Sequence, residues 1–505
     1  VRYGFVIDQT RCIGCHACTV ACKEENRVPL GTFRTWVKYV EKGEFPNTRR
    51  HFAVLRCNHC DNAPCVAICP TVALYRRPDG IVDFDRDRCI GCKSCMQACP
   101  YDALYIDPDT QTAAKCHFCA HRVERGLEPA CVVVCPERAI LTGDLDDADS
   151  EVSRVIARES VSVRKPEQGT RPKLFYLGAD HAALAPALHE ASSATLWGQR
   201  PSEPVSLAAR AGSWQPARPA GRTVKPVEAL GRTVYDVPHE PRPWGWRVAA
   251  YLWTKSLAAG AALAAAAGVL AEGSAVWLGL PIVALLFLLL TAGLLIVDLR
   301  RPDRFHYLLF RANPRSWLVL GAWILLAFGV VLGIWVLAAV NGHVAALRAL
   351  AIPLSLLALG AAGYSAFLFA QAEGRDFWQN PLVLPHLLAG AVTAGAATAL
   401  LMIPPSATAR GVLLLGLGVN FLLVLAECYM PHANTDASAA ARFITQGPLS
   451  WTFWGGVVAG GTLVPALLLV PASGAAGALA ALLALVGLYL WEDCWVRAGQ
   501  AVPLS

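Results

Sequence analysis

The chain has 505 residues, a net charge of +6, a mean hydropathy of +0.41 and 18 cysteines. Its 44 Lys and Arg and 38 Asp and Glu are divided unevenly: 61 precede Trp246 and 21 occupy the 260 residues from Trp246 onward. That division excludes an ordinary soluble enzyme, and so diluted a positive charge excludes nucleic acid as a partner. The length, with no charged-then-apolar segment at the start, argues against a secreted disulfide scaffold. A cysteine-rich soluble domain joined to an integral membrane domain fits the pattern.

Sixteen cysteines lie between Cys12 and Cys135, and the other two are Cys428 and Cys494. The first group is Cys12, Cys15, Cys18 and Cys22; the second is Cys57, Cys60, Cys65 and Cys69. The third is Cys89, Cys92, Cys95 and Cys99; the fourth is Cys116, Cys119, Cys131 and Cys135. Groups one and three have the C-x2-C-x2-C-x3-C spacing of two-cluster ferredoxins, in which the fourth cysteine ligates the other cluster of a pair. Three cysteines on one tight loop suit three irons of a cubane, and a fourth that begins a short helix points away. Gly14 and Gly91 fit the loop's need for unusual backbone angles. Structural zinc closes at four ligands and does not repeat this run. Sixteen thiolates make four [4Fe–4S] clusters, and His16, His59, His117 and His121 are read as solvated or hydrogen-bonded neighbours.

Residues 186–245 read as an irregular connector rich in Pro, Arg and Ala. Eight apolar stretches follow, near 248–271, 276–298, 316–340, 347–370, 382–403, 411–429, 451–470 and 474–491, each about long enough to cross roughly 30 Å of hydrocarbon. Loops marked by Arg300–Arg304, Asn313-Pro314, Pro404-Pro405 and Gln446–Pro448 separate several of them. The pairs Gly329/Gly333 and Gly456/Gly460 permit close helix contact. An even count returns the C-terminal end to the side of the soluble domain. That side collects Arg247, Arg300, Arg301, Arg304, Arg311, Arg315, Arg375, Arg442 and Arg497, against Arg348 and Arg410 opposite. Nine against two places the soluble domain on the cytoplasmic face of the inner membrane.

The runs Cys57-Asn-His-Cys60-Asp-Asn-Ala-Pro-Cys65, Gly91–Asp102 and Lys115–Arg122, with Gly169–Gly178, resemble the four-cluster electron-transfer subunit of molybdopterin oxidoreductases over residues 1–185. From 246 to 505 the chain resembles the eight-helix NrfD anchor that serves polysulfide reductase, through Trp244-Gly-Trp246, Tyr251–Gly260, Asp298–Phe305, Asn313–Ser316 and Arg497–Gln500. These resemblances imply an α+β double ferredoxin-like domain fused to an all-α bundle of eight transmembrane helices. They also imply a cluster pairing: Cys12, Cys15 and Cys18 with Cys135; Cys116, Cys119 and Cys131 with Cys22; Cys57, Cys60 and Cys65 with Cys99; Cys89, Cys92 and Cys95 with Cys69. The last two sets would lie nearest the membrane. One departure is that Lys23, not proline, follows Cys22.

The chain has neither a dinucleotide fingerprint nor a phosphate loop, and one histidine inside a helix, His386, does not make a bis-histidine haem. A quinone, menaquinone or ubiquinone, is the implied partner of the clusters in the membrane lipid. Ionisable groups in apolar helices are candidates by default. Lys255, Asp298, Arg304, Tyr364 and His239 are expected near the soluble-domain end, with Glu427 as a proton carrier. Lys255 could also snorkel to the interface. The chain thus reads as a non-catalytic subunit that passes electrons between a quinone and a large molybdenum or tungsten pterin subunit in a hetero-oligomer. A hydrogenase anchor and a proton-translocating redox module are the alternatives.

Overall fold

The computed structural model of the chain describes residues 1–43, 46–186, 189–190, 231–239, 243–272, 278–402, 406–471 and 473–505. Most of the connector and the Pro404-Pro405 loop lie outside the described residues.

Proline sets the length of the cysteine-bearing helices. Cys69, Cys99 and Cys135 each precede a proline, and the helices Pro64–Ile68, Ser94–Ala98 and Ala130–Val133 stop before them. A residue before proline is driven out of the α region. Cys22 precedes Lys23, and the helix Ala17–Asn26 runs on through it. The fourth cysteine therefore ends its helix or sits inside it, and does not begin one as the spacing suggested. The start is fixed earlier, where Gly14 and His16 (φ 72° and 61°), like Gly91 and Lys93 (66° and 65°), turn the chain through left-handed conformations.

Two four-stranded sheets and two hairpins frame these helices. Tyr3–Asp8 pairs in parallel with Leu174–Leu177 and antiparallel with Ile140–Asp144. Thr35–Lys42 pairs antiparallel with Arg49–Arg56, which delivers the chain to Cys57. The connector is not irregular throughout: Gly231–Tyr235 adds to Thr35–Lys42, and His189–Glu190 adds to that strand in turn. The alternating Thr233 and Tyr235 satisfy an edge that Thr35–Lys42 would otherwise leave open.

Among the described residues, seven helices are long and apolar enough to cross a membrane: Trp246–Glu272, Gly279–Asp298, Trp317–Val340, Val344–Ala370, Val383–Met402, Ala407–Tyr429 and Gly474–Gly499. The seventh apolar stretch, near 451–470, forms a shorter helix, Thr452–Leu468, so the eight expected spans are not uniform in length. Its first twelve residues, Thr452–Leu463, are π-helical, a wider winding with i→i+5 backbone bonds such as the Val464 N–H to the Ala459 carbonyl. Gly455, Gly456, Gly460 and Gly461 within it remove the side chains that would favour tighter winding.

The soluble half sits directly on the bundle. Trp244 Nε1 donates to the Cys92 carbonyl (3.1 Å), Arg304 Nη1 to the carbonyls of Arg86 (2.6 Å) and Cys89 (3.0 Å), and Asn313 Nδ2 to that of Cys69 (2.8 Å). Ser316 Oγ donates to the Ile68 carbonyl at 2.7 Å. Lys93, on the loop after Cys92, forms a 2.9 Å ion pair with Asp298. The C-terminal end returns to the same seam: Gln97 Nε2 donates to Gln500 Oε1 (2.7 Å), and Lys38 Nζ to the Ser505 carbonyl (2.8 Å). One buried core is continuous across it, from Cys69, Cys89 and Cys95 to Trp244, Phe369, Trp378 and Trp495.

Candidate metal centres and membrane site

The fold sorts the sixteen cysteines into four sets. Cys12, Cys15, Cys18 and Cys135 line a cavity of about 340 Å³, and Cys69, Cys89, Cys92 and Cys95 line one of about 380 Å³. Cys22 faces Cys116, Cys131 and Cys119, and Cys65 faces Cys99, Cys57 and Cys60. Among the described residues no three His, Cys, Asp or Glu side chains converge as a single-ion site needs. Four sulfurs spread around a chamber instead suit a polynuclear cluster.

Burial first, then neighbouring cysteines, push Cys18 and Cys99 up to about 11 and Cys92 and Cys116 up to about 12. Such thiols are poor solvated anions; iron supplies the positive charge that lets them serve as thiolates. Backbone donors already point at sulfur, from Gly91 and Ala113 to Cys89 (both 3.4 Å) and from Ala139 to Cys135 (3.3 Å).

The sets also have an order. Cys95 faces Cys65, Cys116 faces Cys57, and Cys18 faces Cys131. The set with Cys69 touches the membrane seam, the sets with Cys57 and Cys22 follow, and the set with Cys12 is farthest along.

Within the bundle, Lys255 is fully buried. Its Nζ donates to Ser365 Oγ at 2.6 Å and lies 4.6 Å from the Tyr364 ring centre. Tyr251, one turn nearer the seam on the same helix, faces Tyr364, Asp298, Ser365 and Glu492. Glu492 faces His386, Lys255 and Glu427. His386 Nδ1 shares a 2.7 Å hydrogen bond with Glu427 Oε1, and its ring stacks on Trp491. Beyond them a cavity of about 400 Å³ is lined by His386, Thr393, Asn420, Thr462 and Trp491 among apolar side chains.

Comparison with known proteins places both halves. Residues 49–145 match a 4Fe–4S dicluster domain, and residues 237–503, more than half of the chain, match the polysulphide reductase NrfD family. This protein belongs to the polysulphide reductase NrfD family. Its N-terminal part is 48% identical over 200 residues to the B subunit of tetrathionate reductase from Salmonella typhimurium, covering 39% of this chain and 80% of that one. It is 44% identical over 179 residues to the B subunit of polysulfide reductase from Wolinella succinogenes (34% and 93%). It is 47% identical over 163 residues to the thiosulfate reductase electron transfer subunit PhsB of Salmonella typhi (32% and 84%). This is an iron–sulfur protein fused to a multi-pass NrfD membrane domain.

The NrfD half brings only some of the expected residues together. Lys255 and Tyr364 meet, and burial rules out snorkelling for Lys255. Asp298 adjoins them through Tyr251 but is paired with Lys93. Arg304 is occupied by two carbonyls of the soluble half. His239 stands apart from the NrfD helices' interior, with Nδ1 2.8 Å from Asp102 and Nε2 3.3 Å from Asp236. Glu427 is buried beside His386, two residues from the end of its helix. Sequence reasoning left out Glu492, Tyr251 and Ser365. Glu492 sits in Trp491-Glu-Asp-Cys494, and a carboxylate beside tryptophan at a helix end reads as interfacial; only the packing of four helices shows it facing inward. Of the four histidines near the cysteines, His16 meets Tyr39, His121 meets Glu25, and the fully buried His59 accepts from the Val82 N–H at 3.2 Å.

Proposed function

We propose that the chain is the electron-transfer and membrane-anchor subunit of a quinone-linked oxidoreductase whose catalytic subunit is a separate chain holding a molybdenum or tungsten pterin. The related proteins named above are subunits of tetrathionate, polysulfide and thiosulfate reductases, which favours a sulfur-compound reductase complex. The observation that carries the reading is the seam. The cysteine set nearest the bundle offers its own carbonyls to Trp244, Arg304 and Asn313, and Lys255, Tyr364 and Glu492 are packed just behind them.

Four [4Fe–4S] clusters, when bound, supply one-electron carriage between the catalytic subunit and the membrane. The sixteen cysteines from Cys12 to Cys135 hold them in the order given above, on a double ferredoxin-like domain spanning 1–185, to which the connector strands at 189–190 and 231–235 attach. Lys255 and Tyr364 are assigned to the quinone oxygens, which need hydrogen-bond donors as negative charge develops. A quinone that takes up two electrons also takes up two protons. Glu492, with His386 and Glu427 behind it, provides the groups that pass them. Lys255, Glu492, His386 and Glu427 all lie in the half of the bundle next to the iron–sulfur domain. That favours local proton supply over a proton-translocating module.

Thr452–Leu468 is counted as an eighth span of the 246–505 domain. Both ends of the bundle meet the iron–sulfur domain, Trp244 at Cys92 and Gln500 at Gln97, which favours an even number of crossings.

The test uses the full chain in its complex, purified anaerobically. About sixteen irons and sixteen sulfides per chain are expected; about four of each, or zinc instead, overturns the cluster assignment. Lys255→Met, Tyr364→Phe and Glu492→Gln should each slow exchange of electrons with quinol at least tenfold while dithionite still reduces every cluster. Arg410→Gln, at the far face, should behave as wild type. Normal quinone turnover in all three variants overturns the site.

A further inference from the structure

Arg56 ends the strand Arg49–Arg56 and is completely buried. Among the described residues its guanidinium has no carboxylate partner. Nη1 donates to Cys131 Sγ at 3.0 Å, and the charge lies 4.7 Å from the Phe5 ring centre. Nε and Nη2 are buried with no acceptor among the described residues. The groups that face it are Cys131, Cys116 and Cys18. Those cysteines belong to the two sets farthest from the membrane, and two of the three belong to the set of Cys22.

An isolated buried cation costs several kcal/mol unless something of opposite charge compensates it. Other charges near the cysteines are compensated differently. Lys93 is neutralised by Asp298 at 2.9 Å, and Lys115 is bonded to the carbonyls of Val82 and Cys116. Arg56 alone among the described residues directs a charged N–H at a cysteine sulfur and keeps two donors in reserve. A cage of four thiolates around an iron–sulfur core is net negative, and gains one further negative charge on reduction. A fixed cation therefore stabilises the reduced form more than the oxidised form, and a hydrogen bond to sulfur acts in the same direction.

We propose that Arg56 is the buried counter-cation of the cluster held by Cys22, Cys116, Cys119 and Cys131, and that it raises the reduction potential of that cluster. Arg56 is a positioning and tuning residue, since it touches a ligand sulfur and not a reacting substrate. The third station from the membrane thereby holds an electron more firmly than its cysteine cage alone would. The cluster of Cys12, Cys15, Cys18 and Cys135 shares the field through Cys18, more weakly. This inference rests on the four-cluster reading above.

The experiment is an anaerobic redox titration of the full chain followed by electron paramagnetic resonance. The relevant signal is assigned by its change in Cys119→Ser. In Arg56→Gln the one-electron equilibrium of that cluster should shift at least tenfold toward the oxidised form, which is 59 mV, while the clusters nearest the membrane stay in place. Arg56→Lys, which keeps the charge, should stay much closer to wild type. Loss of that cluster in the Gln variant alone, with the Lys variant loaded, also supports a counter-cation. The proposal falls if the Gln variant keeps its iron and no potential moves, if Gln and Lys variants shift alike, or if both lose the cluster. A wild-type chain without titrating clusters would sink the functional reading itself, independently of Arg56.

Discussion

The charge on His239 is governed by Asp102 and Asp236, which meet it beside the membrane seam, and Asp236 is paired in turn with Lys38 at 3.3 Å. Burial works against the imidazolium, but hydrogen bonds to the two carboxylates outweigh it and lift the ring to about 10 from 6.5. A raised pKa means that the stabilisation is complete below about pH 6.5 and is lost as pH rises through 10. The wild-type unfolding temperature in detergent should therefore fall between pH 7 and pH 10 more than that of His239→Gln. At pH 7 the substitution should cost about 1 kcal/mol, since it leaves two half-buried carboxylates short of a charged donor. Equal pH dependence in the two proteins would show that His239 carries no such charge. Lys255 was legible in the sequence because it is the one lysine after Trp246. Glu492 and His386 were not legible as partners, since they lie on different helices and their meeting depends on helix rotation.

Close packing of helices shows the same division between spacing and placement. The pairs Gly329/Gly333 and Gly456/Gly460 have the spacing that permits backbone approach, yet a side chain at Gly333 would meet nothing and one at Gly329 only Leu288. Backbone contact occurs at Gly260 against Gly395 and at Gly461 against Gly487, where added Cβ atoms would strike the facing main chain. Which glycine faces a neighbour depends on how the helices turn about their axes, and a helix apolar on every side carries no stripe to report that. Gly260→Leu should destabilise the bundle by about 1–3 kcal/mol or more through overpacking, read as a lower unfolding temperature. Gly293→Leu, on an open face, should not. Equal behaviour of the two would mean that the first and fifth helices are not held by that contact. The cysteine helices were more legible, because proline acts within one residue and needs no partner: its absence after Cys22 lets that helix run on to Asn26.

Orientation of the whole molecule rests on two arguments that must be separated. The first is parity: the iron–sulfur domain and the residues from Gln500 to Ser505 are on one side because they touch. The second is which side that is, and here the arginine count needs revision. Arg301, Arg304 and Arg375 are bonded to the iron–sulfur domain or the C-terminal segment, and Arg300 packs against Gly91. These four are explained by docking and say little about lipid headgroups. Arg247, Arg311, Arg315, Arg442 and Arg497 still stand against Arg348 and Arg410, five against two. By the positive-inside rule that smaller excess would put this side in the cytoplasm. A reporter fused after Ser505 should accordingly be active as a cytoplasmic marker, and a protease added to intact cells should leave the iron–sulfur domain uncut. An export-dependent reporter that lights up at the same fusion point would reverse the assignment. In that case docking chemistry, which concentrates arginine wherever a domain sits on a bundle, would account for the asymmetry without any reference to membrane polarity.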